Sequence, residues 1–375
     1  MASDQAPRRV RAAVLWQVGQ PLTVQEVELE APHAGEVEVR VASAGVCGSD
    51  IHQLLGEYRL PLPCVLGHEG AGVVARVGAG VAGLAPGDHV VLLWRSPCGR
   101  CPHCLSGRPA LCEEAGLIRQ RGVMPDGTSR LRAEGRVLHH FLGVSCWAEA
   151  VVVPAASVVR IPPGVPLHLA ALVGCAVVTG VGAAWNAARL RPGQSVAVFG
   201  CGGVGLNILQ GAALAGAQPI VAVDAQPGKE RLARTFGATH FLVGTGPEAV
   251  AAVRAALSGG ADVAFEAVGV PALMEAAVAA TRRGGLTVLV GVAPEGATLR
   301  LDPLALVQDE RRICGCIYGS GHPALEIPRL LELFTADRLK LHELVSRSWP
   351  LGEVNRAIAE ARSGVAARVL LDPSA

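Results

Sequence analysis

The segment between Ser195 and Asp224 restricts the fold more than any other. SVAVFG (195–200) reads as a buried strand and runs straight into G-x-G-G-x-G, formed by Gly200, Gly202, Gly203 and Gly205. The apolar helical pattern VGLNILQGAALAG (204–216) follows at once, and PIVAVD (219–224) is a second strand. Strand, glycine turn, helix and strand in that order make a βαβ unit, with parallel strands and the helix on the sheet face. Gly200 permits the tight turn, Gly202 lets backbone approach a pyrophosphate, and Gly205 allows close helix–strand packing. Free N–H groups at the helix start face the phosphates. Asp224 stands 19 positions after Gly205. A carboxylate there accepts from a ribose 2′-OH and repels a 2′-phosphate, which predicts NAD over NADP. The bland alternative is a simple turn followed by an acidic strand end; the strand–turn–helix context argues against it.

The alternation continues with strands at ATHFLV (238–243), ADVAFEAVG (261–269) and LTVLVGV (286–292), and helices between them. That is the pattern of a parallel sheet with crossover helices. Residues 10–160 differ. Short Val-rich runs recur there at TVQEVEL (23–29), EVEVRVAS (36–43), AGVVARVG (71–78), DHVVLL (88–93) and WAEAVVVP (147–154). Gly, Pro and Asp punctuate them, as turns between antiparallel strands require. The texture changes near Gly174 and becomes mixed after Gly321, ending in the strand RVLLD (368–372). The polar stretch Gln120 to Arg136 reads as a surface loop. A chain of 375 residues is expected to form two domains. The expected class is α/β, a doubly wound parallel sheet beside a β-rich domain.

Composition narrows the function classes. A net charge of +1 argues against nucleic acid or an anionic membrane as partner. The N-terminus MASDQAPRRVRAAVLW is basic but lacks the apolar core of a signal peptide, and no uninterrupted membrane-length apolar window is found. Eleven cysteines without a signal peptide indicate a reducing compartment, hence the cytoplasm, and metal ligation rather than disulfides.

Four of them, Cys98, Cys101, Cys104 and Cys112, are spaced C-x2-C-x2-C-x7-C. Four thiolates at this spacing can close a tetrahedral zinc site, which leaves no open position for substrate and is therefore structural. A four-thiolate iron–sulfur cluster remains an alternative, and disulfide pairing a weaker one. Three further residues stand apart: Cys47 in GVCGSDIH, His68 in GHEGAG and Cys175 in VGCAVVTG. Two Cys and one His with a free fourth position are one arrangement for catalytic zinc. Spacing alone does not bring Cys175 to Cys47.

The motifs GHEGAGVVARVGAG (67–80), the four-cysteine lobe, GCAVVTG and VFGCGGVGL together resemble the zinc-dependent medium-chain alcohol dehydrogenases over nearly the whole chain. The segment 122–149 resembles their longer-chain, liver-type branch. The resemblance implies a GroES-like catalytic domain, 1–176 and 321–375, with a structural zinc lobe at 95–113. A Rossmann domain, 177–320, is inserted in it. It implies two zinc ions per chain: catalytic zinc on Cys47, His68 and Cys175, structural zinc on Cys98, Cys101, Cys104 and Cys112. A homodimer or homotetramer built through the sheet edge near Arg312 to Tyr318 is implied as well.

Roles follow residue by residue from the same resemblance. Asp50 would orient the imidazole of His68, and Glu69 would stand behind the metal. Zinc would make an alcohol more acidic, Ser49 would accept its proton, and a relay through the nicotinamide ribose would reach His52. The product is an aldehyde or ketone, with hydride passed to NAD. In isolation, Ser49 and His52 would read as a helix cap and an exposed helical histidine. Thr179 and Val204 match nicotinamide contacts, Lys229 a ribose contact and Arg368 a pyrophosphate contact. Gly203 and Val292 complete the cofactor-binding set. Trp94, Tyr58, Leu117, Phe141 and Leu142 match pocket positions and suggest a medium-chain or aromatic alcohol; ordinary core packing is the alternative. Gly48 stands where many relatives carry Arg or His, which predicts weaker cofactor retention. Two rival functions stay open: a thiol-dependent formaldehyde dehydrogenase and a non-catalytic zinc and nucleotide-binding protein. Gly116 sits where the former holds a glutathione carboxylate with arginine, which disfavours that rival without removing it.

Overall fold

A computed structural model describes residues 6–375, so the first five residues of the basic N-terminal stretch lie outside the description. In chain order the strands are β1 (Arg8–Leu15), β2 (Thr23–Leu29), β3 (Glu36–Val46), β4 (Cys64–Val65), β5 (Glu69–Val77) and β6 (His89–Leu92). They continue with β7 (Leu131–Ala133), β8 (Arg136–His140), β9 (Ala150–Pro154), β10 (Val158–Arg160), β11 (Val196–Phe199) and β12 (Ile220–Asp224). The last six are β13 (His240–Val243), β14 (Ala261–Glu266), β15 (Thr281–Leu289), β16 (Arg312–Gly315), β17 (Val345–Pro350) and β18 (Arg368–Asp372). The chain divides into two compact units: Met1–Cys175 with His322–Ser363 and Arg368–Ala375, and Ala176–Gly321 with Gly364–Ala367.

The first unit is β-rich and GroES-like. Strands β1-β2-β7-β8-β4 close a barrel, and a 7-stranded sheet runs β10-β6-β5-β3-β18-β17 with β9 also on β3. Half-buried strands alternate as expected: Val27 and Leu29 of β2 face inward while Glu26 and Glu28 face water. Central β3 is buried at nearly every position, which its run of Val and Ala permits. The final strand, far away in sequence, pairs antiparallel with β3 through Val369–Val46 and Leu371–Ala44. That pairing carries Arg368 into the floor beneath the N-terminal strands.

Gln120 to Arg136 is not a surface loop throughout. Pro125 to Thr128 is exposed, but Met124, Ser129 and Leu131 are buried and Arg130 is fully buried. The Arg130 guanidinium forks onto Glu36 at 2.7 and 2.9 Å and reaches Asp126 at 2.6 Å. A buried ion pair uses the residue types of a surface, so polarity alone misplaced it.

The second unit is a 6-stranded parallel sheet, ordered β13-β12-β11-β14-β15-β16. Relative to their chain order within this sheet the strands lie 3-2-1-4-5-6, the doubly wound Rossmann arrangement. Phe199, Val221, Val223, Val253, Ala264 and Ala277 form part of its core. The strand expected at 286–292 begins earlier, at Thr281, and ends at Leu289. Length and composition would let the 21-residue helical run Leu167–Ala187 cross a membrane, yet 89% of its apolar window is buried inside the fold. That burial is the behaviour of a core helix.

Candidate active site and metal centres

Three separate elements of the first unit deliver Cys47, His68 and Cys175 to one point. Cys47 caps the Gly48–Leu54 helix, and His68 immediately precedes β5. Cys175 lies in a π-helical turn, Val173–Val177, which widens the helix locally where the thiol must point inward. The Cys175 Sγ is 3.5 Å from Nε2 of His68, and the ligand atoms of Cys47, His68, Glu69 and Cys175 all lie within 4.8 Å of one another. All four residues are buried.

Asp50 organises this cluster. Its carboxylate accepts the Cys47 N–H at 3.0 Å and the Gly67 N–H at 3.0 Å, and contacts Nδ1 of His68 at 3.3 Å. Engaging Nδ1 in this way leaves Nε2 free to ligate. Two Sγ atoms and one imidazole nitrogen, dry and convergent, suit a zinc ion bonded at about 2.0–2.3 Å. Burial opposes a charge on His68, but Asp50 and Cys47 push its pKa well above the usual range. A hydrogen bond from Cys175, opposed by burial and aided by Arg368, holds Cys47 well below the usual thiol range. As donor to Cys47, Cys175 is pushed upward.

Behind the cluster, Arg368 donates to Glu69 at 2.8 Å and lies 3.9 Å from Sγ of Cys47. Burial raises Glu69 to about 7, against the opposing charge of Arg368. The resemblance implies a pyrophosphate contact for Arg368; its guanidinium is buried in the first unit and engaged by Glu69, and among the described residues its Nε has no partner. Sequence reasoning treated Glu69 and Arg368 separately and missed their pairing, because β18 joins β3 only in the folded sheet.

The four-cysteine lobe is built differently. The Cys98 N–H donates to Sγ of Cys112 at 3.3 Å, the Cys101 N–H to Cys98 at 3.3 Å, and the Cys104 N–H to Cys101 at 3.5 Å. All four sulfurs lie within 4.8 Å of one another. Four Zn–S bonds of about 2.3 Å place sulfurs about 3.8 Å apart, so the lobe fits a closed tetrahedral site. N–H groups of Cys104 and Glu113 bring the Cys101 thiol down to about 6, while burial drives Cys104 up to about 12. A third grouping, His33, Glu36 and Asp126, has its carboxylates already bound by Arg130.

In the second unit the glycine turn has the shape its residues require. Gly200 has φ +95°, a left-handed conformation that other residues rarely adopt. A Cβ on Gly205 would stand 1.8 Å from the Gly200 carbonyl, so only glycine lets the helix sit this close. Gly202 caps the Gly203–Leu214 helix, Val204 is half-buried, and nothing crowds the Gly202 Cα. Asp224 accepts from the Cys201 N–H at 2.7 Å, the Gln226 N–H at 2.9 Å and Nζ of Lys229 at 3.2 Å. Thr179 is buried with its hydroxyl unpartnered among the described residues, and Val292 is exposed. An open turn, a carboxylate at the end of the second strand of the unit and an orphan hydroxyl fit a dinucleotide.

The remaining expected residues divide. Trp94 and Phe141 stand edge-on to the His68 ring, with centroids 6.2 and 5.6 Å away. Tyr58 lies 5.3 Å from the ring of His52, and burial pushes its phenol pKa upward. Ser49 and His52 fall one turn apart on the Gly48–Leu54 helix. His52 is half-buried and paired with Glu57, a partner its spacing did not reveal. Leu142 is buried, whereas Leu117 is 49% exposed. Two arginines escaped notice. Arg95 lies 5.8 Å over the Trp94 ring, and Arg119, three residues beyond Gly116 on the Glu113–Arg121 helix, lies 5.8 Å over Tyr58.

Comparison with known proteins places both units. Residues 33–163 match the alcohol dehydrogenase GroES-like domain, and residues 203–336 match the zinc-binding dehydrogenase family. The chain is 38% identical over 368 residues to an alcohol dehydrogenase class-3 of Myxine glutinosa, covering 96% of this chain and 97% of that one. It is 38% identical over 372 residues to an S-(hydroxymethyl)glutathione dehydrogenase of Aspergillus oryzae, covering 96% and 95%. The crystal structure of benzyl alcohol dehydrogenase from Acinetobacter calcoaceticus superposes with a TM-score of 0.92 at 32% identity, covering 97% of this chain and 99% of that one.

Proposed function

This chain belongs to the zinc-dependent medium-chain alcohol dehydrogenases, and we propose that it interconverts a medium-chain or aromatic alcohol and its aldehyde or ketone with NAD. The observation that carries the reading is the convergence of Cys47, His68 and Cys175 at a point shared with Asp50 and one turn from Ser49. When bound, zinc would act as the Lewis acid that makes an alcohol oxygen acidic, and NAD would take the hydride.

The chain's own residues do the rest. Cys47 Sγ, His68 Nε2 and Cys175 Sγ hold the metal, and Asp50 fixes the tautomer of His68. The Ser49 hydroxyl, on the same short helix as Asp50 and His52, accepts the alcohol proton. His52, with Glu57 beside it, passes that proton to solvent. Cys98, Cys101, Cys104 and Cys112 hold a second, structural zinc. N–H groups at the start of the Gly203–Leu214 helix bind the pyrophosphate. Asp224 and Lys229 receive the ribose, and the Asp224 charge disfavours a 2′-phosphate. Trp94 and Phe141 wall the reacting end.

A second reading, oxidation of an S-hydroxymethyl thiol adduct, is favoured by the names of relatives such as the Aspergillus oryzae enzyme. A panel of primary, secondary and aromatic alcohols with NAD, run beside formaldehyde with and without glutathione, separates the two. Turnover of simple alcohols is expected; activity strictly dependent on glutathione would overturn the choice. Asp224→Ala should lower the NAD-to-NADP preference about ten-fold or more, the worth of a charge-assisted hydrogen bond; an unchanged ratio would remove its role. The eleven free cysteines support a cytoplasmic location. β16, at an edge of the parallel sheet, supports a homodimer or homotetramer joined there.

A further inference from the structure

We propose that Glu57 is a positioning residue for proton release: it fixes the tautomer of His52, so that the imidazole meets the alcohol-derived proton with a bare Nε2. The proposal rests on the alcohol dehydrogenase reading and adds a member to its proton path.

The end of the Gly48–Leu54 helix delivers the carboxylate. Leu55 closes the helix in a right-handed conformation, and Gly56 follows at φ +76°. A Cβ on Gly56 would meet Cγ1 of Val18 at 2.6 Å, so conformation and space both require glycine. The Gly56 N–H donates to the Gln53 carbonyl at 3.1 Å, and the Glu57 N–H to the His52 carbonyl at 2.9 Å. These are the paired bonds of a glycine-terminated helix end, which set the residue two past the cap against the residue three before it. An apolar contact frequently fills that place. Here a carboxylate and an imidazole fill it: Oε2 of Glu57 is bonded to Nδ1 of His52. Both side chains are half-buried, so the bond is partly sheltered from competing water.

The donor and acceptor capacities of the two groups dictate the rest. A carboxylate only accepts, so Nδ1 carries the hydrogen. In neutral imidazole that leaves Nε2 as the acceptor, whereas the other tautomer has its hydrogen on Nε2 and takes no proton there. The Tyr58 ring, tilted 35° and 5.3 Å from that of His52, confines the imidazole further, and Arg119 lies over Tyr58. Asp50, the other carboxylate near His52 in sequence, is engaged by Cys47, Gly67 and His68. Two carboxylates thus hold Nδ1 of two histidines: Asp50 that of the metal ligand, Glu57 that of the proton carrier. Glu57 neither gains nor loses the proton; His52 takes it at Nε2 as imidazolium and gives it to water.

The test is a double-mutant cycle on Glu57 and His52, read in single-turnover alcohol oxidation with NAD and in the imidazole nitrogen NMR spectrum. Glu57→Leu restores the apolar contact common at such a helix end, so it removes the carboxylate without opening the turn. It should slow the single turnover about ten-fold, part of the roughly 10²- to 10⁴-fold that a positioned acid–base group supplies. KM for NAD and zinc content should stay near wild type. Glu57→Gln, whose amide both donates and accepts, should fall between the two. In a His52→Gln background, adding Glu57→Leu should slow the reaction no further. An equal loss in that background, or no loss in Glu57→Leu alone, would overturn the proposal. The spectrum reads the tautomer without turnover, at alkaline pH where imidazole is neutral. The His52 resonances, identified by their absence in His52→Gln, should report Nδ1–H in wild type and move toward Nε2–H in Glu57→Leu. The same tautomer in both proteins would also overturn it. If no alcohol is oxidised yet the tautomer changes as stated, the dehydrogenase reading fails while the hold of Glu57 on His52 stands.

Discussion

The two cysteine clusters make metal sites by opposite routes. In the lobe, four sulfurs come from one short segment, and neighbouring backbone N–H groups arrange them at 3.3–3.5 Å. Nearly all its information is local. At the other site, Cys47, His68 and Cys175 come from a helix cap, a strand start and a π-helical turn. They are held by Asp50 and backed by the Glu69–Arg368 pair. A local site can be closed by its own loop and serve stability. A site assembled from distant elements has a geometry that the whole unit enforces, and Ser49, Asp50 and His52 stand beside it on the Gly48–Leu54 helix. The difference teaches where to look for chemistry: at the expensive assembly, not the conspicuous motif.

The comparison can be broken most sharply at Cys47. Cys47→Ala should lower kcat/KM by at least about 10³-fold, since several kcal/mol of Lewis-acid stabilisation goes with the metal. Its thermal midpoint should stay near wild type; retained turnover would sink the assignment. Cys101→Ala should do the reverse. Loss of a structural metal costs several kcal/mol and lowers the midpoint by about 10 °C, while activity per folded molecule persists at low temperature. Immediate loss of activity in fully folded protein would erase the distinction between the sites. Asp50→Asn should weaken zinc affinity or turnover about 10- to 100-fold, as expected for a partner of a ligating imidazole. An unchanged zinc dissociation constant and rate would make Asp50 only a helix-capping residue. The smallest effect belongs beside Cys47, where nothing lies within 4 Å of a side chain added at Gly48. Gly48→Arg should slow NADH release a few-fold, by up to about 1 kcal/mol for an exposed ion pair. Unaltered release measured by stopped-flow fluorescence would show that the missing cation there has no consequence.

The same contrast explains what the amino-acid order made legible. The βαβ unit, its glycine turn and the four-cysteine spacing are local patterns, and β2, β12 and β18 fall where their apolar runs place them. The Cys47–His68–Cys175 set was reached only through family resemblance, because no local rule spans 128 positions. Arg130 was read as surface because its compensating Glu36 lies on another strand. Arg119 gave no signal at all, because Tyr58 becomes its neighbour only after folding. The Glu57 partner of His52 is close in sequence, but it follows the end of the helix, where helical spacing no longer predicts contact.

The division of labour between the clusters is tested most directly by following zinc per chain during graded chelation, with turnover and thermal midpoint read on the same samples. The account predicts two zinc ions per chain at the start, with turnover tracking the occupancy of one site and thermal stability tracking the other. A chain that holds less than one zinc at full activity, or turnover and stability that decay together on a single zinc-loss curve, would contradict it.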